Sequence, residues 1–170
     1  VLIQGGVGGL AAAVVAHARG WGEGVRVTIV EPEDADCLFV SADSPDGVPT
    51  ESAGAQRTIM AGLNCRAASH TAWPTLRAAA DGFLRIADRH AEEGMRRLAR
   101  PAPGDPAIRA GESGAAGIGA LIALAEDPAY GAVRGALELG PTSRVLAVGT
   151  EGVTGPAGVA RTLAQAASTT

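Results

Sequence analysis

The chain has 170 residues, 46% of them hydrophobic and 3% aromatic, with a formal charge of −4 at neutral pH. That length supports one domain with a real core. The composition offers neither the basic surplus nor the aromatic platforms of a nucleic-acid binder. No apolar run reaches the ~18 residues of a membrane span, and no charged-then-apolar leader is visible, so neither nucleic acid nor membrane is expected as a partner. Every one of the 14 residues counted as Lys or Arg is arginine, so no side chain here forms a Schiff base through an amine.

The chain opens directly on a strand pattern at Val1, and further residues upstream are expected. Val1-Leu2-Ile3-Gln4 suits a buried strand, and four glycines among Gly5-Gly6-Val7-Gly8-Gly9 suit a tight turn. A helix follows over 10–18. Strand, glycine turn and helix together present backbone N–H groups and a favourable field to an anion. The same pattern is also that of a close-packed strand-to-helix turn. After a turn at 20–24, residues 25–30 form a β-branched strand that Glu31-Pro32 ends. The first unit is thus β–α–β, the mark of a parallel sheet.

An acidic residue at the end of the second strand invites a dinucleotide-binding reading. The glycines fit it poorly: Gly6 and Gly8 begin G-x-G-x-x-G, but Ala11 stands at its third glycine. A short helix is expected over 34–39 and a Pro- and Gly-bearing loop over 43–52. Residues 58–63 read as a strand or a buried loop. A helix over 69–80 is capped by Thr71 with Pro74 in its first turn. Residues 83–87 read as a strand. Asp88 caps a helix running to Ala99, with acids early and arginines late. Pro101 to Pro106 is a turn.

Gly111-Glu112-Ser113-Gly114 introduces a small-residue helix to about Ala125, in which Gly117 and Gly119 imply a close neighbour, whether a ligand or another helix. A helix over 132–139 stops at Gly140-Pro141, residues 144–148 form the last strand, and a terminal helix covers 159–167. Ligands of open parallel sheets collect at the C-terminal strand ends. That rule puts residues 5–9, Glu31, 111–114 and the polar Gly149-Thr150-Glu151-Gly152 on one rim. Cys37 and Cys65 read as buried thiols or one local bridge, and their spacing matches no metal motif. His17, His70 and His90 read as surface or capping residues.

These rim segments, together with Glu31-Pro32-Glu33, Ala35-Asp36-Cys37-Leu38, Thr58-Ile59-Met60-Ala61-Gly62-Leu63 and Gly94-Met95-Arg96, resemble the diaminopropionate ammonia-lyases. Those belong to the fold-type II, tryptophan synthase β-like pyridoxal phosphate enzymes. The resemblance implies an α/β fold, a parallel-sheet three-layer domain, present here only in part. It implies that residues 1–170 are the C-terminal portion of the cofactor-binding large domain. The Schiff-base lysine, an acid–base aspartate and most of the small domain would lie upstream.

Carried over, Gly5, Gly6, Val7, Gly8 and Gly9 hold the phosphate of pyridoxal 5'-phosphate. Glu112 lines the cofactor near its ring, and Thr150 meets the pyridine nitrogen. Met60 to Leu63 forms a mobile segment over the site. The resemblance also sets Cys37 and Cys65 in one neighbourhood and leaves a bridge open. Gly149 and Val153 stand where the family often has Ser and Asp, which weakens the place given to Thr150. The implied function is α,β-elimination of ammonia from a small amino acid, 2,3-diaminopropionate, by a cytoplasmic homodimer when complete. The segment alone is expected to be inactive and contributes no catalytic residue or metal ligand. The alternatives are an inactive remnant or partner subunit of the same fold, a serine/threonine dehydratase-type lyase, and an NAD-linked Rossmann oxidoreductase.

Overall fold

The computed structural model describes residues 1–22 and 24–165. Three parallel strands form the sheet: β1 (Leu2–Gln4), β2 (Thr28–Pro32) and β3 (Gly82–Ile86), in that spatial order. Ile3 lies opposite Ile29, and Val30 opposite Leu84. On the free side of β1, a single parallel bridge joins Leu2 to Ala147. The 144–148 stretch therefore runs beside the sheet without becoming a full strand. Its apolar residues are only half covered, Leu146 being 49% exposed.

Alternation along the strands builds two cores. Ile3 and Ile29 pack with Val15, Leu38 and Leu76, under α1 (Gly9–Ala18), α2 (Cys37–Asp43) and α3 (Trp73–Ala79). Leu2, Val30, Leu84 and Ile86 face the other way, against Ala91, Ala116 and Leu124 of α4 (Asp88–Ala99) and α5 (Ala116–Glu126). Helices thus cover both faces, and the chain is a three-layer α/β unit with a parallel sheet. Two further helices follow, α6 (Gly131–Ala136) and α7 (Pro156–Gln165). Positions 166 and 167 of the expected terminal helix, and position 23 of the 20–24 turn, lie outside the described residues.

Several local expectations change. Residues 58–63 form no strand; they turn through a short 3-10 segment, Ala61–Leu63. Thr71 does not cap α3. The residue before that helix is Ala72, whose N–H donates to the Ser69 hydroxyl at 3.4 Å. Asp88 is the first residue of α4 rather than its cap. Its carboxylate instead accepts from the Thr58 hydroxyl at 2.6 Å and from the Ile59 N–H at 3.0 Å, which ties the 58–63 segment to α4. The glycines of α5 divide their work. A Cβ on Gly119 would press on the His90 carbonyl of α4, whereas one on Gly117 would sit 3.3 Å from the Ala147 Cβ. Closeness to a helix and to the sheet edge, not to a ligand, explains both.

Candidate functional site

β1 ends at Gln4 and α1 begins at Gly9, so the residues between them turn at the C-terminal end of the strand. The Gly5 N–H donates to the Val30 carbonyl at 2.9 Å, and the Gly8 N–H to the Gly5 carbonyl at 3.1 Å. Gly6 and Gly8 have φ of 60° and 100°, where side chains are disfavoured. A Cβ on Gly8 would also come within 2.7 Å of the Leu76 Cδ1. Among the described residues, the N–H groups of Gly6, Gly9 and Leu10 donate no backbone hydrogen bond. Those of Gly9 and Leu10 are the unspent donors of a helix N-terminus, and that of Gly6 lies in the turn before it.

Over this turn lies a cavity of about 320 Å³, lined by Gln4, Gly5, Gly6, Val7, Gly9, Leu10, Gly62, Leu63, Cys65, Ser113, Thr150 and Glu151. Its size falls at the lower end of the ~300–1,000 Å³ usual for small-molecule sites. Two larger hollows, of about 710 Å³ and 460 Å³, lie elsewhere, and a third, of about 480 Å³, shares Thr150 and Glu151 with this cavity. The 460 Å³ hollow opens at the N-terminal ends of β1 and β2, beside Leu2 and Thr28. The larger is lined mainly by α5 and the 139–145 stretch. None of the three holds the glycine turn, so size does not select the site; the free amides and the strand ends do.

The second wall is the Gly111–Ala115 stretch ahead of α5, gripped from two sides. Gln4 Nε2 donates to the Ser113 carbonyl at 3.3 Å. Glu151 Oε2 accepts from the Ser113 N–H at 2.7 Å and from the Gly114 N–H at 3.0 Å. The Ser113 hydroxyl accepts from the Gly62 N–H at 3.0 Å, which holds the Ala61–Leu63 turn beside the cavity. Gln4 is buried, and its Oε1 has no partner among the described residues. A buried amide oxygen left unpaired next to a cavity calls for a donor from whatever fills it.

Behind the glycine turn lies Glu31, fully buried at the end of β2. It accepts from the Leu38 N–H at 3.0 Å and the Phe39 N–H at 2.7 Å, at the start of α2. Burial pushes its carboxyl up to about 8, against the opposing pull of those two bonds. Burial likewise pushes the Cys37 thiol up to about 12 and raises Cys65; both cysteines are free. The Cys37 thiol donates to the Gly6 carbonyl at 3.5 Å.

Of the residues singled out from sequence, Gly5, Gly6, Val7, Gly9 and Thr150 share the cavity wall. Gly8 sits beneath it, packed on Leu38 and Leu76. Glu112 is not in the wall; its carboxylate lies beside Gly158 of α7, where a Cβ would meet Oε1 at 2.6 Å. Gln4, Ser113 and Glu151 are cavity-wall positions to which the sequence reading gave no role. All three neighbour residues it named, and the buried-strand reading of Gln4 concealed an amide at the strand's last position.

A parallel three-layer α/β unit with free amides beside a cavity at a strand end has the build of the α/β proteins that bind ligands at their strand ends. Within that class the chain belongs to the family of pyridoxal-phosphate dependent enzymes, whose model matches residues 1–151. Diaminopropionate ammonia-lyase of Salmonella typhimurium strain LT2 is 37% identical over 159 residues, covering 92% of this chain and 39% of the relative. The enzyme of Escherichia coli K12 is 38% identical over 156 residues, again covering 39% of the relative. The chain therefore spans about two fifths of the length of the curated relatives it matches.

Among solved structures, Escherichia coli diaminopropionate ammonia-lyase in complex with an aminoacrylate–PLP azomethine reaction intermediate superposes with a TM-score of 0.86 at 34% identity. That match covers 97% of this chain and 42% of the other. A threonine deaminase from T.th. superposes with a TM-score of 0.63 at 25% identity over 75% of this chain and 43% of the other.

Proposed function

We propose that this chain is the cofactor-phosphate part of a lyase that eliminates ammonia from 2,3-diaminopropionate, with pyruvate as the carbon product. The observation that carries the reading is the set of unspent N–H groups at Gly6, Gly9 and Leu10 on the wall of a strand-end cavity. The residues fit pyridoxal 5'-phosphate. The amides donate to a phosphate dianion without a counter-charge, and the orphaned Gln4 Oε1 can accept from a donor elsewhere on the cofactor. The cofactor, when bound, draws electrons from the substrate α-carbon and so eases departure of its proton.

The chain's own residues bind and orient. Gly5, Gly6, Val7 and Gly9 take the phosphate end, and Gly8 keeps the turn tight against Leu76. Thr150 offers its hydroxyl to the pyridine nitrogen at the opposite wall. Leu10 and Leu63 give the cavity apolar cover that limits water. With no lysine in the sequence, the Schiff-base amine and the acid–base aspartate come from the rest of the protein. In this reading the rest is the N-terminal part, and residues 1–170 are the C-terminal portion of the large domain, inactive alone. The complete protein is a cytoplasmic homodimer acting on a small amino acid. Relatives at 37% and 38% identity support diaminopropionate over a hydroxy amino acid substrate.

The test is the complete protein, loaded with pyridoxal phosphate and assayed for pyruvate and ammonia. Release of both from 2,3-diaminopropionate at a higher kcat/KM than from serine or threonine is expected. A preference for serine or threonine would move the reading to a dehydratase.

A further inference from the structure

We propose that Glu151 is a positioning residue that decides which end of the cavity receives the phosphate; the proposal rests on the cofactor reading above. Two helix N-termini contribute to one cavity wall. The α1 end is open, with Gly6, Gly9 and Leu10 amides unspent. The stretch just ahead of α5 is capped by a carboxylate. Glu151 Oε2 takes the Ser113 and Gly114 N–H groups at 2.7 and 3.0 Å, and the next amides bond within the turn, Ala115 to the Gly111 carbonyl at 3.0 Å. The carboxylate does for α5 what a bound phosphate does for α1.

The fit is built. A Cβ on Gly111 would stand 2.8 Å from Glu151 Oε2, and one on Gly114 would collide with the Glu151 carbonyl. Glu151 is itself held, since Oε1 accepts from the Thr154 hydroxyl at 3.2 Å and its carbonyl from the Gly111 N–H at 3.1 Å. Its negative charge repels a second anion at the α5 end. The phosphate is thereby confined to the 5–9 turn. Thr150, next in the chain and in the same wall, is fixed where the ring end arrives.

The experiment uses the complete protein with Glu151→Gln and Glu151→Ala and two probes. Inorganic phosphate reads the α1 end alone, and pyridoxal, which lacks the phosphate, reads the ring end alone. Both variants are expected to weaken pyridoxal about tenfold. Phosphate affinity at the α1 end should be unchanged in Glu151→Gln. In Glu151→Ala, equilibrium dialysis should find a second phosphate equivalent. Equal weakening of both probes would mark Glu151 as merely structural and overturn the proposal, as would unchanged binding of both. If Glu151→Ala fails to fold, the split between probes in Glu151→Gln decides. Wild-type protein that binds neither probe would overturn the cofactor reading, and the role of Glu151 with it.

Discussion

Gly5 and Glu31 share one small volume: a Cβ on Gly5 would lie 2.7 Å from the Glu31 Cγ. The first glycine of the turn is small because a buried acid stands behind it. That acid carries a pH signature. Its folded-state value is about 8 against an ordinary 4.5, with burial as the main cause. Between those values the folded protein holds a proton that the unfolded chain has lost, so stability falls as pH rises. The full contribution is present below 4.5 and is lost as pH passes through about 8. The slope is at most about 1.4 kcal/mol per pH unit. Urea unfolding at several pH values should show the decline, and Glu31→Gln should flatten it.

Gly8 and Gly9 separate folding from binding. Gly8→Ala meets Leu76 Cδ1 at 2.7 Å from a backbone at φ 100°, and should cost roughly 1–3 kcal/mol of stability. A Cβ on Gly9 meets nothing within 4 Å. Gly9→Ala should change the unfolding midpoint little, within about 0.5 kcal/mol. Thermal denaturation of the two variants side by side checks the contrast.

Gly119→Ala should destabilise despite the better helix former, because the new methyl presses on the His90 carbonyl of α4. The expected loss is about 1–3 kcal/mol from overpacking, larger than the ~1 kcal/mol gained in helix propensity. Gly131→Ala, at a position open to solvent space, is the control that should not destabilise.

His90 is buried between α4 and Tyr130, with Nε2 3.3 Å from Asp127 Oδ2. Burial first, and Arg89 second, hold its imidazole below the ordinary 6.5, while Asp127 pulls the other way. NMR titration should find His90 protonating below 6.5, and Asp127→Asn should lower it further. The linked stability is present above 6.5 and lost as pH falls through the lowered value.

Much of the fold could be read from residue order alone. The β-branched run over 25–30, the glycine turn ahead of α1 and the charge order of α4 each carry a local signal strong enough to place an element, although β2 starts three residues later and runs through Glu31 and Pro32 instead of ending before them. Residues 58–63 stayed open between strand and buried loop, and 144–148 misled as a full strand, for one reason: short apolar runs are compatible with burial in any conformation. The first is held as a turn by Asp88 and Ser113, and the second meets the sheet at a single bridge. The glycine-turn wall of the cavity was visible because glycine spacing is local. The opposite wall was not, because Ser113 meets Gln4 from 109 positions away and Glu151 from 38, distances that no local pattern spans.

The central claim is that the 5–9 turn receives the phosphate of pyridoxal 5'-phosphate. Its most direct test is equilibrium dialysis of that cofactor against the complete protein and its Gly9→Val variant. Gly9 lines the cavity and has open space around it, so valine fills the phosphate approach without disturbing the fold. One bound equivalent is expected in the wild type and at least a tenfold loss of affinity, about 1.4 kcal/mol, in the variant. Undiminished binding in a folded Gly9→Val protein would contradict the claim.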